Sequence, residues 1–309
     1  MTIKQIVDKL QKAEDIFMIF NPNSLVPYVC CDTEDTMLDY ASVYFDGAAA
    51  MLKAKELTEE GFGTKSAMKI SNKSILSLLT DTLYYGIDAI KFYIGDESTI
   101  IETEQMIRID QDAKGKDGKP YLFNRSAQIS MIYLVQELLK DPKGGKQDPQ
   151  RTAAAQTEVF ANVVNSPFYI AFTEMKPETE AEGDAAAIDK KAPDTPDGKK
   201  FAPALLKDKD GKLMLPIFTD INELRKAFRG GKDQTVPYKA FKFRTIVDKL
   251  LVEGSNLDGV IINPAGVKLP MLNKAVHGLV KDPRFLPNEG AQTAEAPAAD
   301  ADKKPDINL

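Results

Sequence analysis

Residues 257–266 read LDGVIINPAG, an apolar run that leads into a turn sequence. The three β-branched residues that begin with Val260 predict a short buried strand. Residues 263–266 predict a tight turn, because proline presets φ, asparagine bonds to its own backbone and glycine accepts a positive φ. Upstream, residues 87–90 read IDAI and match the start of this stretch. The match indicates an internal repeat within the chain.

Other apolar segments recur in the same order along the chain. Two strands and a helix resemble counterparts downstream: 16–20 with 168–172, 26–29 with 213–218, and Ile75, Leu76 and Leu79 with Ile246, Val247 and Leu250. In each copy an acidic pair predicts a helix start after the second strand, Asp32 with Asp35 and Asp220 with Glu223. Thr2 and Gln5 form a capping-box pattern before the first helix.

The order helix, strand, strand, helix, strand, helix, strand therefore occurs twice. This order predicts an α/β fold with mixed sheets, built from two related modules that arose by internal duplication. The first module covers residues 2–110 and the second covers 151–286. Residues 111–150 hold a hairpin tip, centred on 110–120, and a bridging helix over 124–140, which Asp141 and Pro142 end.

Two further segments carry the composition of disordered chain. Residues 176–200, inside the second module, and the tail at 287–309 are rich in Pro, Ala, Glu, Asp and Lys and poor in large apolar side chains. We expect the first to be a disordered insertion and the second a disordered tail.

Composition excludes several classes of function. With 40 Lys+Arg against 46 Asp+Glu, the net charge of −6 lacks the basic footprint of a nucleic-acid binder. One His and two Cys are too few for an ordinary zinc site, so we expect no metal and no cofactor. A charged N-terminal segment without an apolar core, and the lack of a long apolar run, predict a cytoplasmic protein without a membrane span.

Three pieces of the second module resemble the N-terminal domain of the SseB family, the enhanced serine sensitivity proteins of bacteria. They are the strand 167–172, the segment 215–224 and the stretch 257–266. The resemblance implies a bacterial, cytosolic α/β module of unknown function and brings no catalytic residues with it. The first module departs from the pattern, with 93–96 in place of 263–266 and Cys30-Cys31-Asp32 in place of Phe218-Thr219-Asp220. We interpret it as a diverged copy.

The turn after the last matched strand has two interpretations. Asn263, Pro264 and Gly266, with Lys268 beyond them, form either a plain turn or a strand end whose free backbone amides meet a ligand or partner. Phe218, Thr219 and Asp220 either cap a helix or bind an anion at its start. The charges of Asp220 and Glu223 favour the cap.

The remaining reactive residues have plainer interpretations. Cys30 and Cys31 form either a redox pair or a buried strand end, and the lack of nearby basic residues favours the strand end. His277 is a packing or helix-surface residue rather than a catalytic base. The leading hypothesis is a non-enzymatic module that binds an unknown protein partner. The alternatives are binding of a small, possibly amino-acid-related metabolite at 263–266, and a hydrolase or transferase.

Overall fold

The computed structural model describes residues 1–22, 24–33, 36–107, 114, 120–141, 146–174, 201–228, 236–252 and 255–285. The predicted insertion at 176–200 and the predicted tail at 287–309 lie outside the described residues. Most of the predicted hairpin tip also lies outside them, although Lys114 and Pro120 form an antiparallel bridge. The fold is α/β with mixed sheets, as predicted.

The first module contains four helices and seven strands among its described residues. In chain order these are α1 (Ile3–Lys12), β1 (Asp15–Asn21), β2 (Val26–Pro27), β3 (Val29–Cys31), β4 (Asp39–Tyr44), α2 (Gly47–Glu59), β5 (Ser66–Ser71), α3 (Asn72–Tyr84), β6 (Ala89–Ile94), β7 (Glu97–Glu102) and α4 (Thr103–Met106). The predicted capping box before α1 is present. Strand β1 pairs antiparallel with β5 on one side and with β4 on the other. Strand β4 pairs parallel with β6, which pairs antiparallel with β7.

The predicted helix start at Asp32 is wrong. The Asp32 carboxylate accepts from the backbone N–H of Thr36, and its carbonyl accepts from Met37, so Asp32 closes a tight turn before β4. The helix starts later, where the Asp46 side chain accepts from the N–H of Ala48 and caps α2. Both β4 and α2 escaped the sequence pattern because residues 39–42 are largely polar or small and α2 begins with Gly47 followed by three alanines.

Helix α5 (Arg125–Leu138) links the two modules. The second module follows with α6 (Pro149–Asn165), β8 (Pro167–Glu174), β9 (Phe201–Pro203), β10 (Leu206–Lys207), β11 (Leu213–Ile217), α7 (Ile221–Ala227), β12 (Tyr238–Lys242), α8 (Phe243–Leu250), β13 (Gly259–Ile262), β14 (Leu269–Leu272) and α9 (Asn273–Lys281). Strand β8 pairs antiparallel with β9 and β12, β11 pairs parallel with β13, and β13 pairs antiparallel with β14.

The second module repeats the strand pairings of the first. Strands β8, β11, β12, β13 and β14 take the places of β1, β4, β5, β6 and β7. The bridge between Tyr169 and Phe218 corresponds to the pair formed by Phe17 and Tyr44. Strands β11 and β4 are therefore equivalent, which corrects the predicted match of residues 213–218 to residues 26–29.

The side-chain hydrogen bonds at the strand starts repeat as well. Asp88 accepts from the N–H of Asp39 in the first module, and Asp258 accepts from the N–H of Leu213 in the second. The carbonyls of the same two aspartates accept from the residues that begin α4 and α9. The two modules therefore share local contacts as well as topology.

Helix α5 packs the modules head to tail. In its C-terminal half, Gln136 exchanges two hydrogen bonds with the backbone of Val29, and Tyr133 donates to Asp39 at the start of β4. In its N-terminal half, Gln128 donates to Asp220, beyond the end of β11. One cluster of buried apolar side chains includes residues of both modules and of α5. The N-terminal strand ends of the first module thus face the C-terminal strand ends of the second.

Candidate functional site

The predicted site residues meet where β11 and β13 end. The N–H of Thr219 donates to Asn263 Oδ1 at 3.0 Å, and Asn263 Nδ2 donates to Thr219 Oγ1 at 2.9 Å. Asn263 adopts a φ of 48°, a left-handed conformation that asparagine tolerates better than most residues. This reciprocal pair closes the end of the parallel strands and matches the tight-turn interpretation.

Asp220 caps α7, as the capping interpretation predicted. One carboxylate oxygen accepts from the N–H groups of Asn222 and Glu223, at 2.8 and 3.0 Å. The other accepts from Thr219 Oγ1 at 2.8 Å and from Gln128 Nε2 at 3.0 Å. These four donors satisfy the carboxylate, so Asp220 acts as a structural acceptor at a helix start.

Most of the predicted ligand or partner surface is interior. Phe218, Thr219 and Asn263 are 0% exposed and Asp220 is 1% exposed, which corrects their assignment to a surface. Gly266 is also buried, and a Cβ added there would lie 2.3 Å from Glu223 Oε2. Of the predicted residues, the half-buried Pro264 and the exposed Lys268 are the ones that a partner could touch.

The segment before α5 and the first turn of α5 cover these strand ends. Asn124 Nδ2 donates to the carbonyls of Pro167 and Thr219, at 2.5 and 3.1 Å. Phe123 forms an antiparallel bridge with Asp220, and the N–H of Leu122 donates to the hydroxyl of Tyr169 at 2.8 Å. The linker between the modules thus occupies the place where a ligand would have to bind.

A buried charged pair on α7 contacts the first module beside this site. Glu223 is 1% exposed, and its Oε1 accepts from Lys226 Nζ at 2.9 Å. Lys226 also donates to the Tyr85 hydroxyl of the first module at 2.8 Å and lies 3.9 Å from Asp81. Burial raises the pKa of Glu223 despite the nearby ammonium group. Burial also raises the pKa of Tyr85, to about 12, against the effect of Lys226.

Sequence reasoning missed this cluster because Glu223 and Lys226 are adjacent on one helix, whereas Tyr85 and Asp81 come from a distant segment. Glu223 and Lys226 have the spacing of an ordinary ion pair on a helix surface. Tyr85 and Asp81 reach them only through the packing of the two modules, for which the local sequence carries no signal.

The equivalent strand ends of the first module have a different chemistry. Tyr44 and Tyr93 take the places of Phe218 and Asn263, and their rings stack with centroids 4.5 Å apart. Phe45 and Asp46 take the places of Thr219 and Asp220. The predicted counterpart, Cys30-Cys31-Asp32, is therefore wrong, because those residues lie on β3 and in the turn after it.

These first-module strand ends border an open cavity of about 580 Å³, which we call the strand-end groove. It is lined by Lys9, Lys12, Ala13, Glu14, Asp15, Phe17, Phe45, Asp46, Ile94 and Gly95. Sequence reasoning had no candidate here, since the groove depends on β4 and α2, which the pattern did not reveal.

The two cysteines and the histidine lack the surroundings of catalytic groups. Cys30 and Cys31 are free and end β3, with Cys31 exposed. Burial raises the pKa of both thiols, and the Asp39 carboxylate adds to the effect at Cys31, which favours the unreactive thiol form. His277 lies half-buried on α9, with Nε2 2.7 Å from the carbonyl of Leu251. Within the described residues, no three His, Cys, Asp or Glu side chains group as a metal site would require.

Comparisons with known proteins give one family match. Residues 146–277 match the family model of the SseB protein N-terminal domain, which confirms the resemblance in the second module. The first module lies outside the matched range. No curated protein matches the sequence.

Two solved structures are similar to this chain. Tic22 from Plasmodium falciparum is 13% identical, with 82% of this chain and 90% of that chain covered and a TM-score of 0.21. Anabaena Tic22, described as a protein of protein transport, is 11% identical, with 85% and 92% covered and a TM-score of 0.21. At this TM-score neither likeness supports an argument about function. Among the described residues, no helix is long and apolar enough to cross a membrane.

Proposed function

We propose that this protein is a non-enzymatic protein-interaction module that binds its partner at the strand-end groove of the first module. One observation carries the proposal. The two modules have equivalent strand ends, but those of the second are covered by the linker and α5, while those of the first remain open. A face that supports polypeptide packing inside the molecule is thus available to another protein.

The arrangement of polar groups supports binding rather than catalysis. The carboxylate of Asp220 accepts four hydrogen bonds. The side-chain amide of Asn263 forms its hydrogen bonds with Thr219. Glu223 is held by Lys226 beneath the surface. General acid–base catalysis requires a titratable group within reach of a substrate, and these groups face the interior.

Metabolite binding at residues 263–266 receives less support. The Glu223 carboxylate fills the space beside Gly266, and the strand end itself is buried. A small-molecule site needs a concave pocket with converging polar groups. A thermal-shift screen with amino acids and related metabolites tests this alternative, and a rise in melting temperature that Lys268→Ala abolishes would favour it.

We also propose that the two modules arose by duplication and that the protein works in the bacterial cytosol. The repeated pairings and the hydrogen bonds of Asp88 and Asp258 support a common origin. The two free cysteines, one of them exposed, suit a reducing compartment. Fractionation of the source cells, with detection of the native protein, checks the location.

Site-specific photo-crosslinking tests the binding function. A photoreactive amino acid replaces Ile94 in the groove or, as a matched control, the exposed aliphatic Leu205 of the second module. We expect a specific adduct from position 94 and none from position 205. The purified partner should then bind wild-type protein and bind an Ile94→Asp variant at least tenfold more weakly. Equal adducts at both positions, or equal affinity for the variant, would refute the proposal.

A further inference from the structure

The contacts that cover the second module show what kind of segment fits a strand end of this fold. Register places Asp15, Phe45 and Asp46 of the groove where the second module has Pro167, Thr219 and Asp220. The linker contacts each of the latter three residues. The described residues therefore leave open, in the first module, the position that the linker fills in the second.

The bound segment in the second module has a simple pattern. Phe123 bridges to Asp220 as an extended residue. Asn124 follows and donates to two carbonyls, those of Pro167 and Thr219. Helix α5 begins immediately afterwards. The pattern is thus an apolar extended residue, an asparagine and a helix start.

Helix α6 supports the first turn of that bound helix. Asn162 Nδ2 of α6 donates to the carbonyl of Ser126 at 3.2 Å. In the first module α1 takes the place of α6, since the buried Ile6 and Leu10 of α1 have the same spacing as the buried Val159 and Val163 of α6. This alignment puts Lys9 at the position of Asn162, and Lys12 lies one turn further along α1.

The first module has therefore replaced a neutral donor by an ammonium group at the groove wall. Lys9 and Lys12 are exposed, and Lys9 Nζ lies 5.1 Å from the centre of the Phe45 ring. Within the described part of the chain, neither lysine forms an ion pair. The acidic residues of the lining interact with other groups.

Lys69 pairs with Asp15 at 2.7 Å, and Glu14, exposed at the rim, also acts electrostatically on Lys69. Asp46 accepts from the N–H of Ala48 at the start of α2. Lys9 and Lys12 thus have no carboxylate partner among the described residues, and carboxylates of a bound segment complement them.

We propose that the strand-end groove binds a partner segment with an apolar residue, an asparagine and then a helix whose first turn carries carboxylates. The apolar residue packs against Phe45 and Ile94. The asparagine donates to the carbonyls of Asp15 and Phe45, as Asn124 does in the second module. The carboxylates pair with Lys9 and Lys12 and also interact favourably with the N-terminal end of their own helix. This inference rests on the proposed function and specifies its partner.

Binding of fluorescein-labelled peptides, measured by anisotropy with the full-length protein, tests the inference. The first peptide has the sequence of residues 120–134 with Arg125→Glu and Ala127→Glu, which places two carboxylates in the first helical turn. The second peptide carries Asn124→Leu in addition. We expect the first peptide to bind wild-type protein, the second to bind at least tenfold more weakly, and added salt to weaken both.

Protein variants locate the site. Lys9→Glu with Lys12→Glu should weaken the first peptide at least tenfold. The matched control, Lys239→Glu with Lys242→Glu on exposed residues of β12, should leave its affinity unchanged. Circular dichroism confirms that both variants fold. No binding of the first peptide, or equal binding by both variants, overturns the inference.

Other occupants give distinct results. Light scattering measures whether the protein forms dimers. Dimers that Ile94→Asp disrupts would show that a second copy fills the groove, and this result would overturn the inference. A partner that crosslinks at position 94 through a segment without asparagine and acidic residues would also overturn it, while the proposed binding function would stand.

Discussion

We expect Lys226→Met to destabilise the protein strongly, because it breaks a largely buried ion pair on α7 that also contacts Tyr85 of the first module. The ammonium group lies 2.9 Å from Glu223 Oε1 and 2.8 Å from the Tyr85 hydroxyl. The side chains of Lys226 and Glu223 are 15% and 1% exposed. Methionine keeps most of the aliphatic packing of lysine, so the change removes chiefly the charge.

The magnitude follows from what remains after the substitution. Glu223 Oε2 has no hydrogen-bond partner among the described residues, so the carboxylate would lose its principal compensation. Removing one partner of a buried pair costs about 3 to 5 kcal/mol. Lys226→Met combined with Glu223→Gln removes both charges, and we expect it to recover about 2 kcal/mol relative to the sum of the single changes.

The cost should depend on pH in a defined direction. Burial raises the pKa of Glu223 in the folded protein, and loss of Lys226 raises it further. A raised carboxyl pKa favours the folded state below the unfolded value of about 4.3, and this contribution is lost as pH rises through the folded pKa. The deficit of Lys226→Met against wild type should therefore be small near pH 5 and grow towards pH 8.

Urea denaturation followed by circular dichroism measures the deficit at pH 5, 6, 7 and 8. Subtracting the free energy of unfolding of wild type at the same pH removes the contribution of other titrating groups. Adding Glu223→Gln to Lys226→Met should abolish the pH dependence of the deficit. A deficit below about 1 kcal/mol at pH 7 would refute the reasoning, since exposed pairs contribute that little. An equal deficit at pH 5 and pH 8 would refute it as well.

Three further substitutions, with Gly211→Ala as a control, check the packing of the linker and the strand end, each by urea denaturation. Gly86→Ala should cost at least about 2 kcal/mol, because φ is +79° and the new Cβ would lie 2.6 Å from the carbonyl of Arg125. Gly211→Ala, at φ +81° with open space around it, should cost less. Gln136→Ala should cost about 2 kcal/mol through the two lost hydrogen bonds to β3. Asn263→Ala should cost about 2 to 4 kcal/mol, because it removes both buried hydrogen bonds between Asn263 and Thr219 at the strand end. Equal costs for the two glycines, or losses under about 0.5 kcal/mol for the other two, would contradict these contacts.

Segments with continuous apolar runs could be predicted from the sequence. Strands β11 and β13 are buried along nearly their whole length and β8 over five consecutive residues, so their composition alone separates them from loops. The cap at Asp220 was also predictable, since an acidic residue directly before an apolar helix is a local signal. These features depend on neighbouring residues, which a single sequence displays.

The burial of the predicted site could not be read from the same residues. Thr219 and Asn263 form a turn sequence that suits a surface as well as an interior. Their burial results from the position of α5, whose Gln128 and preceding Asn124 come from about ninety residues upstream of Thr219. The strand-end groove escaped prediction for a related reason, because its wall includes the end of β4, a strand with only half of its residues buried.

The head-to-tail packing explains why the strand ends of two similar modules have different surroundings. In a head-to-tail contact, one face of the first module meets a different face of the second, so each module keeps one of the two faces uncovered. A two-fold interface, in contrast, covers the same face on both partners. Here the C-terminal strand ends of the second module meet α5 and the first module, so the C-terminal strand ends of the first module stay open. The polar residues of the covered end became internal hydrogen-bond partners. At the open end, Phe45 and the exposed Asp46 occupy the places of Thr219 and Asp220, and the exposed Lys9 lies beside them, and such residues suit a surface that contacts solvent or a bound polypeptide.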